Sequence, residues 1–560
     1  MAERDTGMHP YVPKLLEEVK AGTLDRREFL RTATLLGVSA ASSYALLGLK
    51  DPLGKPAAAA GSGGTVRFSM RIPALEDPHT YSWVADSDCC RQVCDYLTRT
   101  GADNVTRPWL LEKWDATEDL RTWTLTLKKG IKWSNGEELV ADHVIWNLKR
   151  WLDEKTGSSI QGLMSGYMLK TVETGEKDAK GNPKKSRVLW SDRAIEKVDD
   201  HTIRLNCAAP QLAVPEHLFH YPALILHPSS NGKFGVGAIG TGAFSMVEYE
   251  VGKKVVLKRR DGYWGKPASL DAVEVIDLGD DPTATVAALA ARQVDGMDQA
   301  YNEQIPVLKK MDHLQMYQVT TAQTGVARMQ VIHDTWKDPR VRKAMRLALD
   351  TEKLLQVAHM GLGAPGEHHH ASLVQPDYYK LPFVKQDIAA AKKLLAQAGH
   401  PDGFKTEIFC KKDPAWEAIC VQAMAEMWKQ AGVDVKINIL PSTQYWDIWN
   451  KPTVPFAFTP WTHRPLGVML YGLAYRTGGV WNEGYWSNKE FDEKLTKAEG
   501  ILEVDKRREV MKDLEQILLD DGPICLPLWR AIVTFMDKRI KGFELHPTTY
   551  IFCEEWSLQA

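Results

Sequence analysis

Few residues of this chain stand in arrangements that do chemistry, and those that do point to binding rather than turnover. His368, His369 and His370 run consecutively behind Glu367. Imidazoles ligate transition metals, but three neighbouring side chains rarely reach one ion with good geometry. The triplet is therefore read as a loop near a cleft or hinge, with no metal expected, and its titration near neutrality leaves room for pH sensitivity. Tyr475, Arg476, Trp481, Asn482, Tyr485 and Trp486 crowd a stretch that also holds Gly478, Gly479 and Gly484. Large rings beside glycines suit a shaped, partly apolar pocket, the alternative being a loop packed on its own lobe. Cys89, Cys90 and Cys94 share one short segment, and the other five cysteines are scattered. A disulfide inside one helix is geometrically hard and zinc needs more ligands nearby, so buried thiols with at most one disulfide are expected. The acidic pairs Asp280-Asp281 and Glu554-Glu555 are ordinary surface pairs unless they face a partner carboxylate across a cleft. No Gly-x-Ser-x-Gly elbow, His-Glu-x-x-His run or phosphate-cradling loop occurs, so neither an enzyme nor a cofactor is expected.

The first 60 residues read as an address. Arg26-Arg27, followed by Phe29 and Leu30, precedes a moderately apolar stretch interrupted by Gly37, Ser39, Ser42 and Ser43. Ala57 to Ala60 then offer small residues for cleavage. The segment resembles a twin-arginine (Tat) signal, which implies export of an already folded protein to the periplasm and cleavage near 58–61.

The elements that must position the candidate residues follow from periodicity. The chain has 560 residues, 70 basic and 72 acidic, for a formal charge of −2. That length exceeds one hydrophobic core, and the even charge argues against nucleic acid. Residues 65–70 form a strand and a helix is expected over 87–97. Trp123, Leu125 and Leu127 alternate as a half-buried strand, residues 202–205 form another, and 171–187 read as a solvated excursion. Asp338 and Asp387 are placed to cap helices, and a stripe from Trp416 through Ile419, Ala423, Met424 and Met427 ends at Gly432. The alternating Val433, Val435, Ile437 and Ile439 follow at once, so helix and strand alternate as in α/β proteins.

Seven landmarks in order carry a family likeness. They are Pro108–Trp114, Lys129–Glu137 with Ala141–Val144, Gly240–Phe244, Asp261–Gly265, Arg292–Gly296, Asp338–Ala344 and Ala391–Leu395. Together they resemble the ABC-transporter solute-binding proteins of the peptide/nickel class, extracellular solute-binding family five. The resemblance implies a two-lobed periplasmic-binding-protein fold (type II, cluster C-like) with an extra domain inserted in lobe one. Lobe one would take 61–95, 240–325 and 525–560, the extra domain 96–239 and lobe two 326–524. It also implies a monomer whose lobes close on a solute and deliver it to a separate membrane permease.

By that likeness His79, Tyr81 and Trp83 occupy a stretch that faces the cleft. Trp461-Thr462-His463-Arg464 stands where peptide-binding relatives carry a Trp-x-x-Asp segment, so His463 and Arg464 replace the acid that meets a peptide amino terminus. A guanidinium there favours an anionic group. Similar aromatic and Asn residues line the cleft in the family, at positions matching Tyr475, Trp481, Asn482 and Tyr485. The expected ligand is a small organic solute, peptide-like or an anionic conjugate. An oligosaccharide or a metal chelate is the alternative, and a cleft hydrolase a distant one.

Overall fold

A computed structural model describes residues 9, 11–49, 63–81, 84–177, 181, 183–479 and 481–559. Trp83 and the alanine run at 57–60 lie outside the described residues. The chain divides into two compact units, one of residues 1–298, 311–315 and 535–560, the other of 299–310 and 316–534.

In the first unit, Thr65–Ser69 pairs in parallel with Ala272–Ile276 and with Gly296–Met297. The hairpin Phe244–Glu250/Lys254–Arg259 extends the sheet antiparallel. A separate four-stranded antiparallel sheet, ordered Leu111–Ala116, Thr122–Leu127, Thr202–Asn206, Ile195–Asp199, forms within residues 96–239. Trp123, Leu125 and Leu127 are buried there and the residues between them are not, as their alternation predicts. The helix expected over 87–97 is shorter, Val84–Cys90, because the chain turns into the strand Thr98–Thr100. The excursion at 171–187 is a hairpin of Leu169–Lys177 against Pro183–Leu189, solvent-exposed over most of its length. With both faces wet, its strands carry no period-two signal.

The N-terminal segment also has a fold. Helices Tyr11–Ala21, Arg26–Leu35 and Ala40–Leu46 belong to the first unit, and Asp25 caps the second by accepting from the backbone of Arg27 and Glu28. The sequence reading treats this stretch as an address without tertiary structure; in the structure residues 28–36 are all buried.

In the second unit, Phe404–Lys411 and Val433–Leu440 run parallel, and Phe456–Trp461 joins them through Phe409 and Ala457. Phe456–Trp461 is antiparallel to the end of Leu314–Met329. Helices Pro339–Leu347, Ile388–Gln397 and Ala415–Gln430 cover one core with these strands, and Asp338 and Asp387 accept from the first-turn backbone as expected. Ile419 is the exception in its stripe: it is exposed, and the buried face runs through Trp416, Cys420, Val421, Met424, Met427 and Trp428.

Candidate functional site

The candidate site in the second unit is built from the ends of a strand and a helix that converge on one imidazole. Trp461 closes the strand Phe456–Trp461, and its indole N–H donates to Glu483 Oε1 at 3.0 Å. Glu483 Oε2 accepts from Thr459 at 2.6 Å and lies 3.4 Å from Arg328 Nε. Burial raises the Glu483 pKa and the Arg328 charge pulls it back. The helix Gly467–Ala474 starts where Asp377 accepts from the backbone of Gly467 at 2.8 Å and Val468 at 3.0 Å. Tyr475, at the end of that helix, hydrogen-bonds His370 Nδ1 at 2.7 Å.

His370 is thus the centre of an aromatic cluster. Its ring lies 5.5 Å from Trp461, 5.8 Å from Tyr475 and 5.9 Å from Trp529, and Trp481 stands edge-on to Trp461 at 5.8 Å. Two polar atoms in it have no hydrogen-bond partner: His370 Nε2 and the Trp529 indole nitrogen. Burial holds the His370 pKa well below the ordinary value, reinforced by His369 and the Arg464 guanidinium, so the imidazole is neutral. Arg464 is itself buried, donating to the His463 carbonyl at 2.9 Å and to Thr462 Oγ1. His463 Nδ1 accepts from the backbone of Ala322 at 3.1 Å.

The other expected residues make contacts of their own. The Asn482 amide donates to the carbonyls of Tyr475, Arg476 and Trp486 and accepts from the Trp486 backbone, so it folds the loop. Arg476 makes two 2.7 Å bonds to Glu499, which ties the loop to a helix. Tyr485 is 38% exposed beside a cavity of about 320 Å³ lined also by Asn450, Gly478, Gly479 and Trp486. His79 and Tyr81 belong to the first unit and are buried. His79 Nε2 meets the Leu224 carbonyl at 3.1 Å, Nδ1 meets Arg150 at 3.0 Å, and burial takes its pKa down to about 4. The Tyr81 hydroxyl is 3.2 Å from Cys90 Sγ.

The three histidines diverge, as consecutive side chains must. His368 Nδ1 accepts from the Leu526 backbone at 3.2 Å. The His369 ring stacks on Tyr378 at 6.0 Å, with Nε2 3.9 Å from Glu515 Oε2. His370 alone enters the aromatic cluster. Sequence reasoning reads His370 as part of a loop near a cleft or hinge, without singling it out from His368 and His369, and does not find Trp529. All ten residues of the strand Leu528–Asp537 are buried, which leaves no alternation to single out one side chain.

Residues 105–483 match the family described as bacterial extracellular solute-binding proteins, family 5. The chain belongs to that family. It is a solute-binding component of an ABC importer, and among the described residues no helix is long and apolar enough to cross a membrane. This family 5 protein is 25% identical over 550 residues to the dipeptide-binding protein DppE of Bacillus subtilis, covering 92% of this chain and 97% of DppE. Its fold is similar to the binding protein AgaA of A. tumefaciens R10, solved with agropinic acid, at TM-score 0.78 and 20% identity over 89% of this chain and 99% of AgaA. It is also similar to AppA of Bacillus subtilis, solved with a nonapeptide, at TM-score 0.74 and 19% identity over 90% and 100%.

Among the described residues one group of the family 5 chain has the spacing of a metal site: Glu137, His143 and His227. Its hydrogen bonds argue against an ion. The Trp133 indole N–H donates to His143 Nδ1 at 3.1 Å, and the Ser229 backbone N–H donates to His227 Nδ1 at 3.2 Å. Both donors put the imidazole proton on Nε2, where each ring faces the Glu137 carboxylate, at 3.2 and 3.0 Å. A metal at Nε2 of His143 would need that proton on Nδ1, pointing at the indole N–H. The group is a hydrogen-bonded clasp.

Proposed function

We propose that this binding protein captures an organic solute with an anionic group, peptide-like or an opine-like conjugate, at the His370 cluster, and releases it chemically unchanged to a membrane permease. One observation carries the reading: two buried nitrogens without partners sit among four large rings. Leaving such atoms unsatisfied costs about 1–3 kcal/mol each, which a ligand relieves. The Trp529 indole only donates. When Tyr475 donates to Nδ1 of the neutral His370, Nε2 carries the proton and also donates. Two N–H groups beside the Arg464 charge suit a carboxylate, and the rings of Trp461, Tyr475 and Trp481 suit the apolar remainder. The dipeptide named for DppE and the agropinic acid bound by AgaA are compatible with that pairing. The protein acts as a periplasmic monomer, delivered by the twin-arginine route that Arg26, Arg27, Phe29 and Leu30 suggest.

A thermal-shift screen of dipeptides, opine-type conjugates, sugar acids, oligosaccharides and metal chelates is expected to single out a carboxylate-bearing class. Calorimetry on a hit should then show His370→Ala, Trp529→Phe and Arg464→Ala each weakening binding by about 1.5–3 kcal/mol, roughly 10- to 150-fold in Kd. Wild-type affinity in both His370→Ala and Trp529→Phe would remove the cluster from the site. Recovery of altered solute after incubation would end the binding-only reading.

A further inference from the structure

Outside the candidate site, a buried contact joins the N-terminal segment to the extra domain. Helix Arg26–Leu35 is amphipathic toward nothing: residues 28–35 are buried on every side. Phe29 is fully enclosed, and Glu28 is paired with Arg31 at 2.9 Å while accepting from Thr32 at 3.1 Å. Both members of that ion pair are buried, an arrangement that persists only where its remaining groups are satisfied. Arg31 meets that condition outside the segment, donating from Nε to the Asn104 carbonyl at 3.3 Å. Three more contacts reach the same surface. The Trp114 indole donates to the Leu35 carbonyl at 2.7 Å, an acceptor that the end of the helix leaves open. Tyr44 donates to Asp103 Oδ2 at 2.9 Å, with Arg107 holding Asp103 at 2.8 Å. Gly37, at φ +86°, passes so close to the Trp114 carbonyl that a Cβ would collide with it.

Asp103 and Asn104 form the tip of the hairpin Thr98–Thr100/Thr106–Pro108, and Trp114 lies on the edge strand Leu111–Ala116. The surface therefore exists only once the extra domain has folded. Arg26 and Arg27 stay exposed on the docked helix, whereas Phe29 and Leu30, the other half of the motif, are hidden.

We infer that the folded extra domain is a docking surface for the chain's own leader, and that docking withholds Phe29 and Leu30 from the export machinery until the leader is pulled free. The second half rests on the twin-arginine reading; the first does not. A body that has folded captures its leader, and export competes with that capture.

The test uses the full chain. Hydrogen exchange is expected to find the amides of 28–36 protected by about 100-fold or more over unstructured-peptide rates. Gly37→Val, which leaves the extra domain's sequence intact, should lose that protection while the amides of Thr122–Leu127 keep theirs. Unprotected 28–36 in the wild-type chain overturns docking. Trp114→Phe removes the indole donor without touching the leader, and pulse–chase export of that precursor should run several-fold faster than wild type. Unchanged export, with 28–36 shown by exchange to be released, overturns the competition. Export of an Arg26→Lys, Arg27→Lys precursor at the wild-type rate would also overturn the competition, by removing the twin-arginine route, and would leave the exchange result to decide docking alone.

Discussion

At pH 8 the Glu515→Gln variant is expected to melt several degrees above the wild-type chain, and at pH 4 the two should melt together. Glu515 is buried beneath the histidine segment, where its Oε1 accepts from the Tyr379 backbone at 3.0 Å and its Oε2 has no hydrogen-bond partner. Burial, helped by the nearby Asp377 and Glu367, pushes its pKa from an ordinary 4.5 to about 9. A carboxyl with a raised native pKa takes up a proton on folding. Below about pH 4.5 it is protonated in both states and pH has no effect through it. From there to about pH 9 the unfolded chain ionises and the native one does not, so stability falls as pH rises. Glutamine keeps the Tyr379 bond and cannot ionise, which removes a cost of roughly 2–4 kcal/mol at pH 8. Calorimetric melts of both proteins across pH 4 to 9 decide it, and a difference independent of pH would show that Glu515 titrates normally in the native state.

Thiol titration of the exported protein should find no reactive cysteine in the native state and eight in denaturant. All eight cysteines are buried and unbridged. Burial pushes the pKa of Cys207, Cys410 and Cys525 up to about 12, and those of the other five are raised as well. The thiolate is the reactive form, so these groups are inert while the fold holds. An unfolded chain entering an oxidising compartment would present the same eight thiols at an ordinary pKa near 8.5. On the proposed twin-arginine route, exchanging residues 1–60 for a leader that threads unfolded chains should therefore cut the soluble yield about tenfold or more, with recovery in cells lacking the periplasmic thiol oxidase. A native disulfide in the exported wild-type protein, or equal yields by both routes, would break this link between folding first and thiol burial.

How much of this was legible in the sequence depends on which surfaces are one-sided. Thr122–Leu127 buries one face, so Trp123, Leu125 and Leu127 announce it. Pro339–Leu347 and Ile388–Gln397 announce themselves by their capping aspartates. The hairpin at 169–189 is wet on both faces and Leu528–Asp537 dry on both, and in neither does alternation exist to be read. The candidate site divides along the same line. Tyr475 and Trp481 are legible as rings crowded beside glycines, and Trp461 and Arg464 through the family likeness alone. His370 and Trp529 reach them only through pairing of Leu528–Asp537 with Gly363–Pro365, a contact between segments more than 150 residues apart that no local pattern encodes. Residues 28–36 are a further case: their helix is buried by surfaces distant in sequence, which no local pattern encodes.

In the proposed site, the two unmatched nitrogens of the His370 cluster would set what this protein can tell apart. Rings grip apolar surface without directional demand, so solutes that differ by a methylene in the part lying against Trp461 or Trp481 should be discriminated only about 10- to 200-fold. An analogue that lacks the acceptor leaves His370 and Trp529 buried and unpaired, and rejection on that account reaches roughly 10⁴-fold where a site is built around such a group. The importer would then be tolerant along one end of its cargo and strict at the other, and a mixture of related acids outside the cell would enter by head group rather than by size.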